Sequence, residues 1–118
     1  MTYGRMVHFC LEAADKLAEE GISTEIIDLR TIVPLDIDTV LESAKKTHRV
    51  LIVHEAVQFL GVGAEVCSQI IDSDAFYYLD APIRRIGGKS TPIPFNPKLE
   101  AETFPTVEKI YNGVKSLF

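Results

Sequence analysis

The chain has no tryptophan, two cysteines and three histidines in 118 residues. That scarcity removes several kinds of chemistry at once. Cys10 and Cys67 lie far apart, form no Cys-x-x-Cys spacing and have no Cys–His cluster nearby, so a zinc site has no basis. Each falls on the apolar stripe of an expected helix, which reads as two buried, reduced thiols rather than a disulfide. Lysine and arginine form no block, and the net charge is −5 with the acids spread along the chain. Non-specific nucleic-acid binding needs clustered cations to displace counterions and is excluded, whereas a basic protein partner is compatible. No apolar run approaches the ~20 residues of a membrane span, and no signal-peptide pattern opens the chain. A Gly-Lys-Ser/Thr phosphate loop and a Gly-x-Ser-x-Gly nucleophile elbow are both missing, which removes the P-loop and hydrolase readings. No repeat, low-complexity tract or second domain is visible. Residues 1–118 therefore read as one domain, large enough to bury roughly two thirds of its unfolded surface.

What is present is an alternation of strands and helices. Met6, Cys10, Ala13, Ala14, Leu17 and Ala18 repeat at helical spacing, predicting a helix over Arg5–Glu20 ended by Gly21. Thr24–Leu29 reads as a strand. Asp36 is placed to cap a second helix with Ile37, Val40, Leu41 and Ala44 inward. Arg49–His54 is a β-branched run typical of a strand covered on both faces. Gly61-Val62-Gly63 leads into a helix carrying Val66, Cys67, Ile70 and Ile71. Ile83–Ile86 is a further short strand. Residues 92–97 contain three prolines, which remove donors and fix φ, and are expected to be irregular. Val107, Ile110, Val114 and Leu117 mark a closing helix. The economical arrangement is a three-layer α/β/α fold with a mainly parallel sheet. Met1-Thr2-Tyr3-Gly4 looks like the end of a strand running straight into a helix, and two or three residues are short against a usual five or six. The first strand is accordingly expected to be truncated, and the chain reads as a piece of something longer.

Few residues carry candidate chemistry. His8 sits off the apolar stripe of the first helix and reads as solvated. His48 follows Lys45-Lys46-Thr47 and suits a charge partner for a helix C-terminus. His54 ends the central strand beside Glu55, at the edge where open α/β sheets place ligands. Two readings fit it, a tuned base or a hydrogen-bonded pair anchoring a loop. Gly61-Val62-Gly63 before a helix suggests a phosphate cradle, yet the third glycine of a dinucleotide fingerprint is absent and Glu65 would oppose a phosphate. Close packing of helix on sheet explains these glycines better. Asp28 and Arg30 share one face of a strand. If buried, each needs a partner. An interface-organising ion pair is the preferred reading, and an anion clamp using Arg30 is the alternative.

Four motifs carry a family resemblance. They are Thr2-Tyr3-Gly4-Arg5-Met6-Val7, then Ile27-Asp28-Leu29-Arg30-Thr31-Ile32-Val33-Pro34-Leu35-Asp36. The third is Val53-His54-Glu55-Ala56 followed by Gly61-Val62-Gly63-Ala64-Glu65-Val66. The last runs Leu79-Asp80-Ala81-Pro82-Ile83-Arg84-Arg85-Ile86-Gly87-Gly88, then Thr91-Pro92-Ile93-Pro94-Phe95. In this order they resemble the C-terminal domain of the beta subunits of thiamine-diphosphate-dependent 2-oxo acid dehydrogenases, the decarboxylating components of pyruvate, branched-chain 2-oxo acid or acetoin dehydrogenase complexes. The His54-Glu55-Ala56 form of the third motif looks more like branched-chain members than pyruvate ones.

The resemblance implies a transketolase C-terminal-like fold. It implies a heterotetramer with an alpha subunit and a second beta subunit, in a bacterial or archaeal cytoplasm or a mitochondrial matrix. Thiamine diphosphate and magnesium would be bound elsewhere in the full enzyme, between the alpha subunit and a preceding domain that supplies the activating carboxylate. No catalytic, cofactor or metal residue is assigned to this chain. Asp28, Arg30, His54, Glu55, Phe59 and Leu60 become interface candidates. Asp80 and Phe118 become candidates for docking the basic subunit-binding domain of an acyltransferase core. The rival readings are a stand-alone small-ligand or anion-binding α/β domain, and an enzyme acting through His54 and Glu55.

Overall fold

The computed structural model describes all 118 residues. Its sheet is assembled from pieces of very unequal length. The two regular strands are β1, Leu51–Val57, and β2, Arg84–Gly88, paired in parallel with Leu51 opposite Arg84 and Val53 opposite Ile86. On the other side of β1 lies Thr2, bridged in parallel to both Val53 and Asp28. The sheet order is therefore residues 27–29, residues 1–3, β1, β2.

The expected strand Thr24–Leu29 is reduced to one bridge at Asp28. A ladder is only as long as its shorter member, and here that member contributes Met1, Thr2 and Tyr3. Their bonds are Thr2 N–H to the Ile27 carbonyl (2.9 Å), Leu29 N–H to the Thr2 carbonyl (2.8 Å) and Val53 N–H to the Met1 carbonyl (2.9 Å). The central strand also runs further than its apolar stretch, to Val57, because a register irregularity after Val53 brings Val57 opposite Gly88. The late strand starts one residue and ends two residues beyond expectation, over Arg84–Gly88 rather than Ile83–Ile86.

Side chains alternating across β1 feed two separate cores. Ile52 joins Val40, Ala44, Val66, Ile70 and Ala75 on one face, and Val53 joins Met6, Cys10, Ala13 and Ile110 on the other. The first face is covered by α2, Ile37–Thr47, and α3, Val62–Ile71; the second by α1, Met6–Glu19, and α5, Val107–Lys115. This is the three-layer α/β/α arrangement. Local chemistry sets the helix ends. Asp36 Oδ1 accepts from the Thr39 N–H (3.2 Å) and Oδ2 from the Thr39 hydroxyl (2.8 Å), which holds the Asp36 carboxyl below its ordinary range. Thr106 caps α5 through the Lys109 N–H (3.2 Å). Gly21, at φ +80°, closes α1 in the left-handed region.

Two short elements carry no periodicity and were not expected. Ser73 accepts from Ala75 N–H to start a 3₁₀ turn over Asp74–Tyr78. Asn96 caps α4, Pro97–Ala101, with Pro97 at its first position, so the proline-rich stretch is irregular only as far as Asn96. His48 ends α2 in the left-handed region at φ +60°, and its Nδ1 meets the Tyr78 carbonyl at 2.7 Å rather than serving only as a charge at the helix end. Both cysteines are free; Cys10 is buried, and Cys67, expected to be buried, is partly exposed. No helix is long and apolar enough to cross a membrane.

Candidate functional site

Parallel strands deliver their carboxyl ends to one edge, so Tyr3, Asp28, Val57 and Gly88 are followed by loops on the same side of the sheet, and His54, expected to end the central strand, lies three residues before its end. His54 is wholly buried there. Its Nδ1 lies 2.8 Å from the Ala56 carbonyl. A carbonyl only accepts, so Nδ1 carries the proton and Nε2 is left as an acceptor. That Nε2 is buried without a partner. The Tyr3 ring stacks near the imidazole (centroids 6.1 Å apart, planes 21°), and burial raises the Tyr3 hydroxyl above its ordinary pKa.

Three glycines enclose the same ring. A Cβ added to Gly63 would sit 2.7 Å from His54 Nε2, one on Gly61 2.9 Å from Cε1, and one on Gly87 also 2.9 Å from Cε1. The imidazole thus occupies the concavity that Gly61 and Gly63 create at the start of α3. The sequence reading of these glycines as close packing holds: Gly63 packs on the His54 side chain, and Gly61 on both that ring and the Val57 carbonyl, which an added Cβ would approach to 2.4 Å.

Glu55 does not meet His54. Neighbours on a strand point to opposite faces. Glu55 Oε1 instead accepts from Arg5 Nη2 at 3.0 Å, while the Arg5 guanidinium lies over the Phe104 ring at 4.9 Å. Neither the tuned base nor the His54–Glu55 hydrogen-bonded pair is formed. Asp28 and Arg30 do pair, with Arg30 Nε donating to Asp28 Oδ2 at 2.5 Å, but the Arg30 side chain is 86% exposed. The pair belongs to the surface and carries no burial penalty of the kind that would demand a partner.

Two apolar loops leave this edge. After β1, Gln58 is tied down by its N–H to the Gly88 carbonyl (3.3 Å) and by Arg85 Nη1 donating to its own carbonyl (3.3 Å). Phe59 and Leu60 are then 73% and 84% exposed, and Leu60 adopts φ +54°. That conformation costs a branched residue roughly 1 kcal/mol. After β2, Ile93 and Phe95 are exposed as well.

Asp80 and Phe118 come together at the opposite edge through a residue the sequence reading did not single out. Arg49 Nη1 lies 3.6 Å from Asp80 Oδ2, its Nε donates to the Leu117 carbonyl at 2.9 Å, and its guanidinium lies 4.6 Å from the Phe118 ring centroid. Tyr3, Arg5, Gly87 and Arg49 were all missed as site residues. The Gly87-Gly88 pair was the one usable signal, since adjacent glycines within a strand mark close backbone approach.

No group of three or more His, Cys, Asp or Glu side chains is arranged to hold a metal ion. A diphosphate at the start of α3 would meet Glu65 in the first turn and find the glycine concavity filled. The residues here therefore do not fit thiamine diphosphate with magnesium.

The family described as "Transketolase, C-terminal domain" matches residues 1–110. Over 115 residues the chain is 45% identical to the pyruvate dehydrogenase E1 component subunit beta-1, mitochondrial, of Arabidopsis thaliana, covering 98% of this chain and 31% of that protein. It is 45% identical to the pyruvate dehydrogenase E1 component subunit beta of Rickettsia felis (99% of this chain, 36% of that one). It is 42% identical to the mitochondrial subunit of Saccharomyces cerevisiae (99% and 32%). The chain spans about a third of the length of these relatives. Among solved structures, "Split gene transketolase, inactive beta4 tetramer" superposes with a TM-score of 0.84 at 24% identity, over 98% of this chain and 37% of that one. That likeness bears on the fold alone.

Proposed function

This chain belongs to the transketolase C-terminal domain family, and from that premise we propose that it serves as the assembly and partner-binding domain of a 2-oxo acid dehydrogenase beta subunit. The observation that carries the reading is how the carboxyl edge is spent. His54 is sealed by three glycines and Glu55 is held by Arg5, so no acid–base pair is free, while Phe59 and Leu60 stand out into solvent. Exposed apolar patches of a few hundred Å² mark interaction surfaces. The relatives' names favour pyruvate over branched-chain 2-oxo acids as the substrate of the whole enzyme. They also favour a mitochondrial matrix or bacterial cytoplasm as its setting.

In this proposal the alpha subunit and a second beta subunit are the partners of the carboxyl-edge loops, and thiamine diphosphate with magnesium is bound outside these residues. The rival anion-binding reading loses its main support, because the glycine concavity is occupied by imidazole. The test is to mix the chain with a pyruvate dehydrogenase alpha subunit and to titrate it separately with the cofactor and magnesium. Association with the alpha subunit, without micromolar cofactor binding by the chain alone, is the expected result. Micromolar cofactor binding by the isolated chain would defeat the proposal, as would a chain that neither self-associates nor binds the alpha subunit.

A further inference from the structure

The end of β1 does not run straight. Between the pairs Val53–Ile86 and Val57–Gly88 it passes through four residues while β2 passes through two, so two extra residues are folded into a bulge. Side chains stand across a sheet, whereas carbonyls lie within it along the hydrogen-bonding direction. A side chain therefore reaches a carbonyl of its own strand only where the backbone has turned. His54 does so, its Nδ1 donating to the Ala56 carbonyl two residues on (2.8 Å). The imidazole is wholly buried and Ala56 is exposed, so the bond ties a turned surface carbonyl to a fixed ring.

The chain returns to the same ring. A Cβ on Gly61 would lie 2.9 Å from His54 Cε1 and 2.4 Å from the Val57 carbonyl. One on Gly87 would lie 2.9 Å from Cε1 and 2.9 Å from the Gln58 Cα and nitrogen. The backbone at Val57 and Gln58, with Gly61 and Gly87, thus converges on one edge of the imidazole. Gln58 is also clamped to β2, by its N–H to the Gly88 carbonyl and by Arg85 Nη1 to its own carbonyl (3.3 Å each). Between Gln58 and Gly61 lie only Phe59 and Leu60, an arch whose two feet stand against the same ring. Leu60 holds φ +54° in this arch. A branched residue keeps that conformation where its surroundings over-determine it. Both side chains of the arch are exposed, so the constraint comes from the feet.

We propose that His54 is a positioning residue for self-association of the chain. By holding the Ala56 carbonyl and filling the space between Gly61 and Gly87, it fixes the arch and presents Phe59 and Leu60 in the conformation in which a second copy buries them. The inference rests on the reading proposed above, in which the carboxyl edge binds partners. Ordering two large side chains and their backbone in advance removes a cost that association would otherwise bear.

Two substitutions of similar shape separate the hydrogen bond from the volume. In His54→Asn the side-chain amide nitrogen stands where Nδ1 stood and can still donate to Ala56; in His54→Leu a methyl takes that place. Chymotrypsin cleavage after Phe59 and Leu60 reads opening of the arch, with cleavage after Phe95, fully exposed in the loop after β2, as the internal reference. Sedimentation reads self-association, and thermal melting reads the whole fold. Relative cleavage of the arch is expected to rise in the order wild type, His54→Asn, His54→Leu. The leucine variant should be cleaved roughly fivefold faster than wild type, the scale of one lost hydrogen bond, and should self-associate more weakly by a similar factor. A purely structural role predicts the opposite order for the two variants, because leucine suits a buried site better than an asparagine does. Should His54→Leu fail to fold, Gly87→Ala serves instead, since its methyl would wedge between Cε1 and the Gln58 backbone and must give the same loosening and the same loss. Equal cleavage in all variants overturns the proposal, as does cleavage that follows melting temperature. A looser arch with unchanged self-association overturns it too. A wild type that stays monomeric overturns it through the reading it rests on, a failure told apart by a cleavage order that still holds.

Discussion

Replacing Gly63 with alanine should destabilise the chain, although the same change in an exposed helix would stabilise it. Gly63 is the second residue of α3, where alanine is favoured over glycine by roughly 0.5–1 kcal/mol. Against that gain, the new methyl would lie 2.7 Å from His54 Nε2 and 2.9 Å from its Cδ2. The imidazole cannot move aside, because Gly61 and Gly87 hold its other edge and Ala56 fixes its Nδ1. Overpacking of this kind costs about 1–3 kcal/mol. The clash outweighs the propensity gain, leaving a net loss of about 1–2 kcal/mol.

Removing the imidazole should reverse the sign. In a His54→Ala background the Ile52 Cγ2, at 3.1 Å, is the next atom the methyl meets, a contact relieved by a shift of a few tenths of an ångström. Gly63→Ala should then be neutral or mildly stabilising, giving a coupling energy of about 1–3 kcal/mol, the range for residues in direct contact. The four proteins of this cycle can be compared by urea denaturation followed by far-ultraviolet circular dichroism, the chain having no tryptophan for fluorescence. Equal costs of Gly63→Ala in both backgrounds would refute the claim that His54 is what these glycines accommodate.

Phe59→Ser with Leu60→Ser should shift the chain toward monomer in sedimentation, and a wild type that is already monomeric and binds no hydrophobic dye would contradict the interface reading. Thr106→Ala, which removes the α5 cap, should cost about 1 kcal/mol in the same denaturation assay. Glu20→Gln should lower thermal stability at neutral pH, because Lys115 first and Tyr111 second hold the Glu20 carboxyl below its ordinary 4.5. A depressed carboxyl contributes stability above 4.5 that is lost as pH falls through the folded value, so the melting curves of wild type and variant should converge in acid. Asp80→Asn should weaken binding of a basic subunit-binding domain at low salt, where such contacts are strongest. Unchanged affinity would place docking elsewhere.

Most of the fold was legible because its four longer helices are periodic and two of them, α2 and α5, are capped by side chains. The inward residues of α1, α2 and α5 recur at helical spacing, and Asp36 is a capping residue by type as well as by position. The strand Thr24–Leu29 was overread because β-propensity describes one segment, whereas a strand is a pairing, and Thr24–Ile26 have no partner alongside. The 3₁₀ turn and α4 rest on single capping side chains, Ser73 and Asn96, too short to show a period. At the site, Asp28 and Arg30 were correctly linked but placed too deep. His54 and Glu55 were linked because they are adjacent, although on a strand adjacency is what separates them.

That separation bears on what this edge can do. A general base must have a face open to the proton it takes, and His54 Nε2 is buried, with Gly61 and Gly63 packed close against it. Freeing it would require α3 to lift from β1 and uncover Ile52, Val66 and Ile70, which are buried in one cluster. Their reburial strongly favours the closed state, at about 25 cal/mol per Å² of apolar surface. Glu55, the one carboxylate near the end of β1, is neutralised by a guanidinium that is itself braced on Phe104. What the edge still offers to another molecule is Phe59, Leu60, Ile93 and Phe95, groups that recognise by burial rather than by proton transfer. Partner binding is the chemistry these side chains leave open.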